Sequence, residues 1–235
     1  MAGTGRQLEE RIVDLILDQG LRAGSPLPAE PVLVSTLGAS RNSVREALRA
    51  LHTLGIVEIR HGYGTFVGRA PLTAVTPGLL FRTRLKVRDD PNALADLVAV
   101  RELLELGLVE QVAERVDDDL LRTLDAAVEA MRSSELAPAD RHFHEVLYAP
   151  VGNELAIQLI GLFWDIYYQV SAELESSPVD QSEVADSHQQ IVDALRARDG
   201  AQARRLLRYH FEDLRARVSA LLDAADGGAG PPVQA

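Results

Sequence analysis

The sequence contains no cysteine. That excludes disulfides and thiolate metal sites and fits a reducing compartment. No apolar run approaches the length of a membrane span. The opening residues MAGTGRQLEE lack the basic-then-apolar pattern of a secretion signal. A soluble, cytoplasmic protein with no membrane partner is expected. No His-Glu-x-x-His motif occurs, so the commonest zinc-hydrolase arrangement is missing. There is no internal repeat, and the second half carries no strand signal of note. The apolar fraction of 46% still permits a sizeable core, and 235 residues suit one large domain or two small ones.

A net charge of −11 argues against nonspecific nucleic-acid binding by the whole chain. The distribution changes that reading. Residues 1–70 hold eight Arg and seven Asp/Glu, a net of +1; the remainder holds sixteen Arg/Lys and twenty-eight Asp/Glu, a net of −12. The asymmetry is the one expected if only the first segment approaches phosphate.

Hydrophobic periodicity predicts a helix over 8–19, with Leu8, Ile12, Leu15 and Ile16 on one side. Ser25-Pro26-Leu27-Pro28 is a rigid turn, and a short helix follows from Ala29 to Leu37, stopped by Gly38. Ser40 is a suitable N-cap for a helix over 41–54 whose inner face is Val44, Ala47, Leu48 and Leu51. Residues 56–60 and 65–67 alternate like strands around the turn His61-Gly62-Tyr63-Gly64. Three helices and a two-stranded hairpin make a winged helix-turn-helix over 1–70. Residues 71–91 read as a linker with room for a short helix. Helices are expected near 92–115, 118–133, 139–149, 153–175, 180–198 and 200–223, an all-α bundle. Residues 224–235, rich in Gly and Pro, are expected to be a disordered tail. The fold class is therefore mainly α, a winged helix followed by a helical bundle.

The outer face of helix 41–54 carries Arg41, Asn42, Ser43, Arg45 and Arg49. Arg suits guanine edges and phosphates, and Asn suits adenine edges. Ser40 and Ser43 can donate to phosphate at the helix N-terminus. His61 and Gly62 sit at the wing tip, within reach of a neighbouring groove. In the second half, Asp140 and His144 are four residues apart and share a helix face. His188 lies on the stripe Val184, Ile191, Val192, Leu195, and His210 on the stripe Ala203, Leu207, Leu214, Val218. Both histidines are aimed inward, where each needs a partner. Three imidazoles and one carboxylate suit zinc, nickel or another first-row divalent ion and leave open positions on an octahedral ion. A small organic acid could take those positions, with Arg101 as a second anchor, because guanidinium pairs carboxylate bidentately. Each residue alone has a plainer reading. Asp140 is then an N-cap after Pro138, a histidine a core residue, Arg101 a salt-bridging group, and Trp164, Tyr167 and Tyr168 bundle lining. His142 is expected to point away, and Asn153 to cap the following helix.

The run PLPAEPVLVSTLGASRNSVREALRALHTLGIVEIRHGYGTFV resembles the DNA-binding domain of the GntR family of bacterial transcription regulators. The resemblance rests on Leu27-Pro28-x-Glu30, on Ser40-Arg41-x-x-Val44-Arg45-Glu46-Ala47-Leu48, and on Gly62-x-Gly64-Thr65-Phe66-Val67. It implies operator contacts by Arg41, Ser43, Arg45 and Gly62. Pro31 stands where the family usually has a DNA-touching arginine. Residues 92–218 resemble the FCD effector domain of the FadR branch. The matching motifs are Asp140-x-x-Phe143-His144, then His188-Gln189-x-Ile191-Val192-x-Ala194-Leu195 with Asp199, then His210. Val100-Arg101-x-Leu103-x-Glu105 resembles the start of that domain's first helix. The resemblance implies an antiparallel bundle with an interior metal. Together these features predict a homodimeric regulator, a repressor rather than an enzyme. It would bind an inverted-repeat operator in double-stranded DNA under control of a small organic acid. Two alternatives are a regulator whose metal is structural and whose effector binds elsewhere, and a metal-dependent enzyme with a DNA-binding appendage.

Overall fold

The computed structural model describes residues 3–90, 92–133, 135–173 and 180–227. The chain forms two compact units, Met1–Pro77 and Gly78–Ala235.

The first unit contains α1 (Gly3–Asp18), α2 (Glu30–Leu37), α3 (Arg41–Thr53), β1 (Val57–Arg60) and β2 (Gly64–Val67). Helix α2 starts with Pro31 in its first turn, where no intrahelical N–H is required. It ends at Gly38, whose φ of 58° is a left-handed value that glycine adopts freely. As expected, Ser40 caps α3, its side chain accepting from the Ser43 N–H at 3.1 Å. Val44, Ala47, Leu48 and Leu51 are all buried, so α3 turns its apolar stripe inward and leaves its charged stripe outside. They pack with Leu8, Ile12 and Ile16 of α1 and Leu33 and Leu37 of α2. The hairpin is antiparallel, pairing Val57 with Val67 and Arg60 with Gly64. Gly68 follows it against Gly55, and a Cβ there would sit 2.0 Å from the Gly55 carbonyl oxygen. Only glycine allows the wing to return this close to the end of α3.

The stretch expected as a linker with room for a short helix carries a 3-10 turn and a helix of fourteen residues. Leu72–Val75 is a 3-10 turn, and α4 runs over Thr76–Asp89. Pro71 precedes the turn, and Pro77 lies in the first turn of α4. At such positions proline fixes a helical φ and removes no needed donor.

The second unit contains α5 (Asn92–Arg115), α6 (Asp118–Ser133), α7 (Leu136–Tyr148), α8 (Glu154–Ser171), α9 (Gln181–Arg196) and α10 (Gly200–Gly227). Helix α5 packs against α8 and α10, α6 against α7 and α9, and α9 against α10. Short connections place sequence neighbours α6 and α7, and α9 and α10, side by side and antiparallel. Asn153 caps α8 by accepting from the Ala156 N–H at 3.1 Å, as expected. Helix α7 begins three residues earlier than expected, at Leu136 with Glu135 as N-cap, because Pro138 is accommodated in the first turn. Asp140 is thereby inside α7 and is not its cap. Helix α10 reaches Gly227, into the stretch expected as a tail; residues 228–235 and 174–175 lie outside the described residues. No helix among the described residues is long and apolar enough to cross a membrane.

Met131, Phe143, Leu147, Ile166, Ile191, Leu207 and Phe211 are fully enclosed in the bundle. Within the same interior lie Arg101, Glu105, Asp140, His144, His188 and His210. Burying an ionisable group is unfavourable unless it is paired, hydrogen-bonded or bound to a metal. Six of them together mark the place in the bundle where apolar packing gave way to a site.

Candidate functional site

Helix α3 presents Arg41, Asn42, Ser43, Arg45 and Arg49 to solvent, with Ser40 at its exposed N-terminus. The arginines are lightly held. Arg45 Nε is 3.8 Å from Glu30 Oε2, and Arg49 bonds Glu46 within the helix at 2.6 Å. Exposed pairs of this kind are worth about 0–1 kcal/mol, so each guanidinium can exchange its carboxylate for a phosphate or base edge. The Ser40 and Ser43 hydroxyls lie 2.9 Å apart at the N-terminal end of the helix. His61 and Gly62 are exposed between the two strands, with Gly62 at φ 78°. Arg60 is fixed differently: it pairs with Glu58 at 2.9 Å and lies over the Phe66 ring, 4.3 Å from its centroid.

The second site draws on α5, α7, α8, α9 and α10. His144, His188 and His210 are buried, and one ligand nitrogen from each lies within 4.8 Å of the others. A tetrahedral first-row ion holds nitrogens at about 2.1 Å from itself and so about 3.4 Å from one another, and binding would draw the three rings together. Asp140 Oδ1 sits 3.1 Å from His188 Nε2 and 3.2 Å from His144 Nε2. All four residues singled out in the sequence therefore converge, although they come from three helices. Exposed His142 is excluded from the cluster, as expected.

The hydrogen bonding of His188 tests whether a cation suits this cluster. Its Nδ1 is 2.7 Å from the Val184 carbonyl oxygen, which can only accept, so Nδ1 carries a proton. Nε2 then faces a carboxylate oxygen. Either a second proton or a metal ion must lie between them. His144 Nε2 faces the same carboxylate oxygen, and neither of its buried ring nitrogens has a well-aligned hydrogen-bond partner. The donor set fits a divalent transition metal.

Electrostatics agree. Burial opposes the charge of Asp140, but bonds from His144 and His188 outweigh it and hold its pKa well below the usual carboxylate value. Burial, reinforced by His188 and His144, pushes His210 well below its usual value, so its lone pair is free at neutral pH. Burial lowers His144, but the Glu105 carboxylate outweighs it and raises the net value. A metal and a proton therefore compete for His144.

Arg101 is 3% exposed and is a salt-bridging group, its Nε 2.5 Å from Glu105 Oε1. Nη2, on the same side of the guanidinium as Nε, is buried with no hydrogen-bond partner. Two contributors were named from the sequence but given no role at the site. Glu105 Oε2 lies 2.7 Å from His144 Nδ1 and accepts from Tyr148 Oη at 3.0 Å. Tyr168, expected only to line the bundle, donates to Asp140 Oδ2 at 3.1 Å and is stacked on Trp164. The signal for Glu105 was its place four residues after Arg101 on a buried helix face. Tyr168 carried no comparable signal.

Residues 4–67 match the family model described as bacterial regulatory proteins, gntR family, and residues 96–213 match the FCD domain. Among curated relatives, the transcriptional repressor NanR of Cronobacter sakazakii is 30% identical, covering 91% of this chain and 85% of its own length. The transcriptional regulator LutR of Bacillus subtilis is also 30% identical, covering 85% of this chain and 94% of its own. Among solved structures, a GntR protein of Streptococcus agalactiae superposes with a TM-score of 0.67 at 26% identity, covering 90% of this chain and 99% of that one. These relatives are transcription regulators, not enzymes. Both halves are accounted for, a DNA-binding winged helix and an effector-binding helical domain, and the chain belongs to the GntR family of bacterial transcription regulators, in the group that carries an FCD domain.

Proposed function

We propose that this regulator is a repressor whose operator affinity is set by a small organic acid bound at a divalent metal, zinc or nickel, held by Asp140, His144, His188 and His210. The observation that carries the reading is His188. Its Nδ1 is committed to a backbone carbonyl while its Nε2 faces Asp140 in the company of two more buried histidines. When bound, the metal supplies a Lewis-acidic centre with positions open to carboxylate oxygens. The chain supplies the rest. Tyr168 holds Asp140, Val184 holds His188, and Arg101 offers its unpaired Nη2 as a second anchor for the acid. That unsatisfied donor favours an effector at the metal over a purely structural metal. Elemental analysis and mass spectrometry of natively purified protein test this directly. One metal per subunit with a copurifying acid is the expected result, and metal-free protein that still binds the same acid with unchanged affinity would refute it.

In the same reading residues 1–70 bind DNA, 71–91 connect, and 92–223 bind metal and effector. Ser40, Arg41, Asn42, Ser43, Arg45, Arg49, His61 and Gly62 form the operator face. One winged helix reads only a few base pairs, so a homodimer on an inverted repeat doubles the contacts. The exposed apolar residues Val100 and Leu103 on α5 support association through the bundle. Repression follows the relative named as a repressor. Arg45→Ala is expected to weaken operator binding by about 1–3 kcal/mol if Arg45 reads a base edge, with relaxed preference at one position of each half-site. Binding measured on a set of singly substituted operators checks this. A uniform loss across all of them would make Arg45 a phosphate contact instead.

A further inference from the structure

We propose that Glu105 is a positioning residue that sets the tautomer of His144 and the orientation of Arg101 with one carboxylate, so that metal and effector anchor are aligned by the same side chain. The inference rests on the reading of the His cluster as a metal and effector site and adds a component that none of the four ligands supplies.

Glu105 is fully buried on α5 and has two oxygens, both in use. Oε1 takes the Nε–H of Arg101 at 2.5 Å. Oε2 accepts from Tyr148 Oη at 3.0 Å and lies 2.7 Å from Nδ1 of His144. An ionised carboxylate only accepts. At 2.7 Å, though off the ideal hydrogen-bond line, its negative charge favours the His144 ring form with the proton on Nδ1, which leaves the Nε2 lone pair on the side of Asp140. It also ties down the Nε–H of Arg101, while Nη2 beside it stays buried without a partner. The guanidinium also lies over the Phe211 ring, 5.4 Å from its centroid. Tyr148 adds a third donor and fixes the carboxylate itself.

The formal charges show why one residue should serve both roles. Arg101, Glu105 and Asp140 sum to −1 with neutral histidines and to zero with one imidazolium, and a divalent ion among neutral histidines brings the total to +1. An anion is favoured in this interior only when the metal is present, and Glu105 touches the groups on both sides of that change.

Glu105→Gln tests the proposal because it keeps shape and removes half of the acceptors. The amide has one oxygen and one NH2, so it cannot accept from both Arg101 and His144. Two readouts are needed. The first is metal affinity, by competition with a chromophoric chelator, in wild type, Glu105→Gln and Tyr148→Phe, each confirmed folded by circular dichroism. Outer partners of metal-bound histidines are typically worth about 10–100-fold in metal affinity, and that loss is expected for Glu105→Gln, with a smaller one for Tyr148→Phe. The second is nitrogen NMR of the neutral His144 ring and of the Arg101 Nε–H in metal-free protein. Wild type should show His144 protonated on Nδ1 and a slowly exchanging Arg101 Nε–H, with at least one of these signatures lost in the variant. Unchanged metal affinity in folded Glu105→Gln would overturn the proposal. So would a wild-type His144 protonated on Nε2, which is readable even if the variant does not fold. Failure of the wild type to bind metal would instead sink the metal reading, and the ring signature would still decide the role of Glu105.

Discussion

Adding zinc or nickel to metal-free protein is expected to raise the unfolding midpoint of the helical unit by on the order of 10 °C, and the double variant His188→Ala/His210→Ala is expected to show no rise. Anything that binds the folded state alone stabilises it by RT ln(1 + [L]/Kd), which is about 4 kcal/mol when the metal is at about a thousandfold excess over its Kd. For a unit the size of Gly78–Ala235, each kcal/mol moves the midpoint by roughly 2–4 °C. The double variant removes two of the four groups that converge on the site, and the remaining Asp140 and His144 cannot retain a stoichiometric ion. The winged unit has its own core around Ile12, Leu33 and Val44 and should stay folded throughout. Calorimetry with and without metal, alongside elemental analysis, gives the answer. Full metal content in the double variant would show that the ion binds elsewhere.

Arg101→Met is expected to destabilise the metal-free protein by about 3–5 kcal/mol at neutral pH, the usual consequence of leaving one member of a buried ion pair without its partner. Methionine preserves most of the packing, so the loss reports charge. The pH dependence separates this from a cavity. Burial by itself would raise the pKa of Glu105, but Arg101 and His144 outweigh it and bring the carboxyl from 4.5 down to about 2. A folded pKa below the unfolded one stabilises the native state above about pH 4.5, and that stability is lost as pH falls towards about 2. Without Arg101 the burial effect dominates and the folded pKa rises, so protonation now favours the native state. The gap between variant and wild type should therefore narrow as pH is lowered from 7 towards 4. Urea unfolding at several pH values measures it. A gap constant with pH would mean that lost packing, not an uncompensated carboxylate, explains the variant.

Much of this architecture can be read one residue at a time. Ser40 with Val44, Ala47, Leu48 and Leu51 defines α3, since capping and a 3.6-residue apolar period are properties of a single helix. The inward aim of His188 and His210 follows from the same period. Two prolines lie inside helices whose expected starts come after them: Pro77, in the expected linker, is in the first turn of α4, and Pro138, just before the helix expected from 139, is in the first turn of α7. The partners of the site residues were harder to find. Glu105 meets His144 across α5 and α7, and Tyr168 meets Asp140 across α8 and α7. No spacing along one helix encodes a contact between two. Arg101 was legible as a site residue from the charge chemistry of guanidinium, but its burial against Phe211 depends on how α10 packs on α5.

The central claim is that the metal site and the operator face are energetically coupled through an organic acid. Coupling of this kind is typically about 1–3 kcal/mol, roughly 5–150-fold in affinity, and it must be reciprocal. The decisive measurement is calorimetric titration of the acid recovered from native protein into metal-loaded protein, alone and bound to an operator selected from random DNA, with a metal-free control. The account predicts that DNA changes the affinity for the acid by the same factor by which the acid changes the affinity for DNA, and that both effects vanish without metal. Equal affinity for the acid in the presence and absence of operator would contradict it.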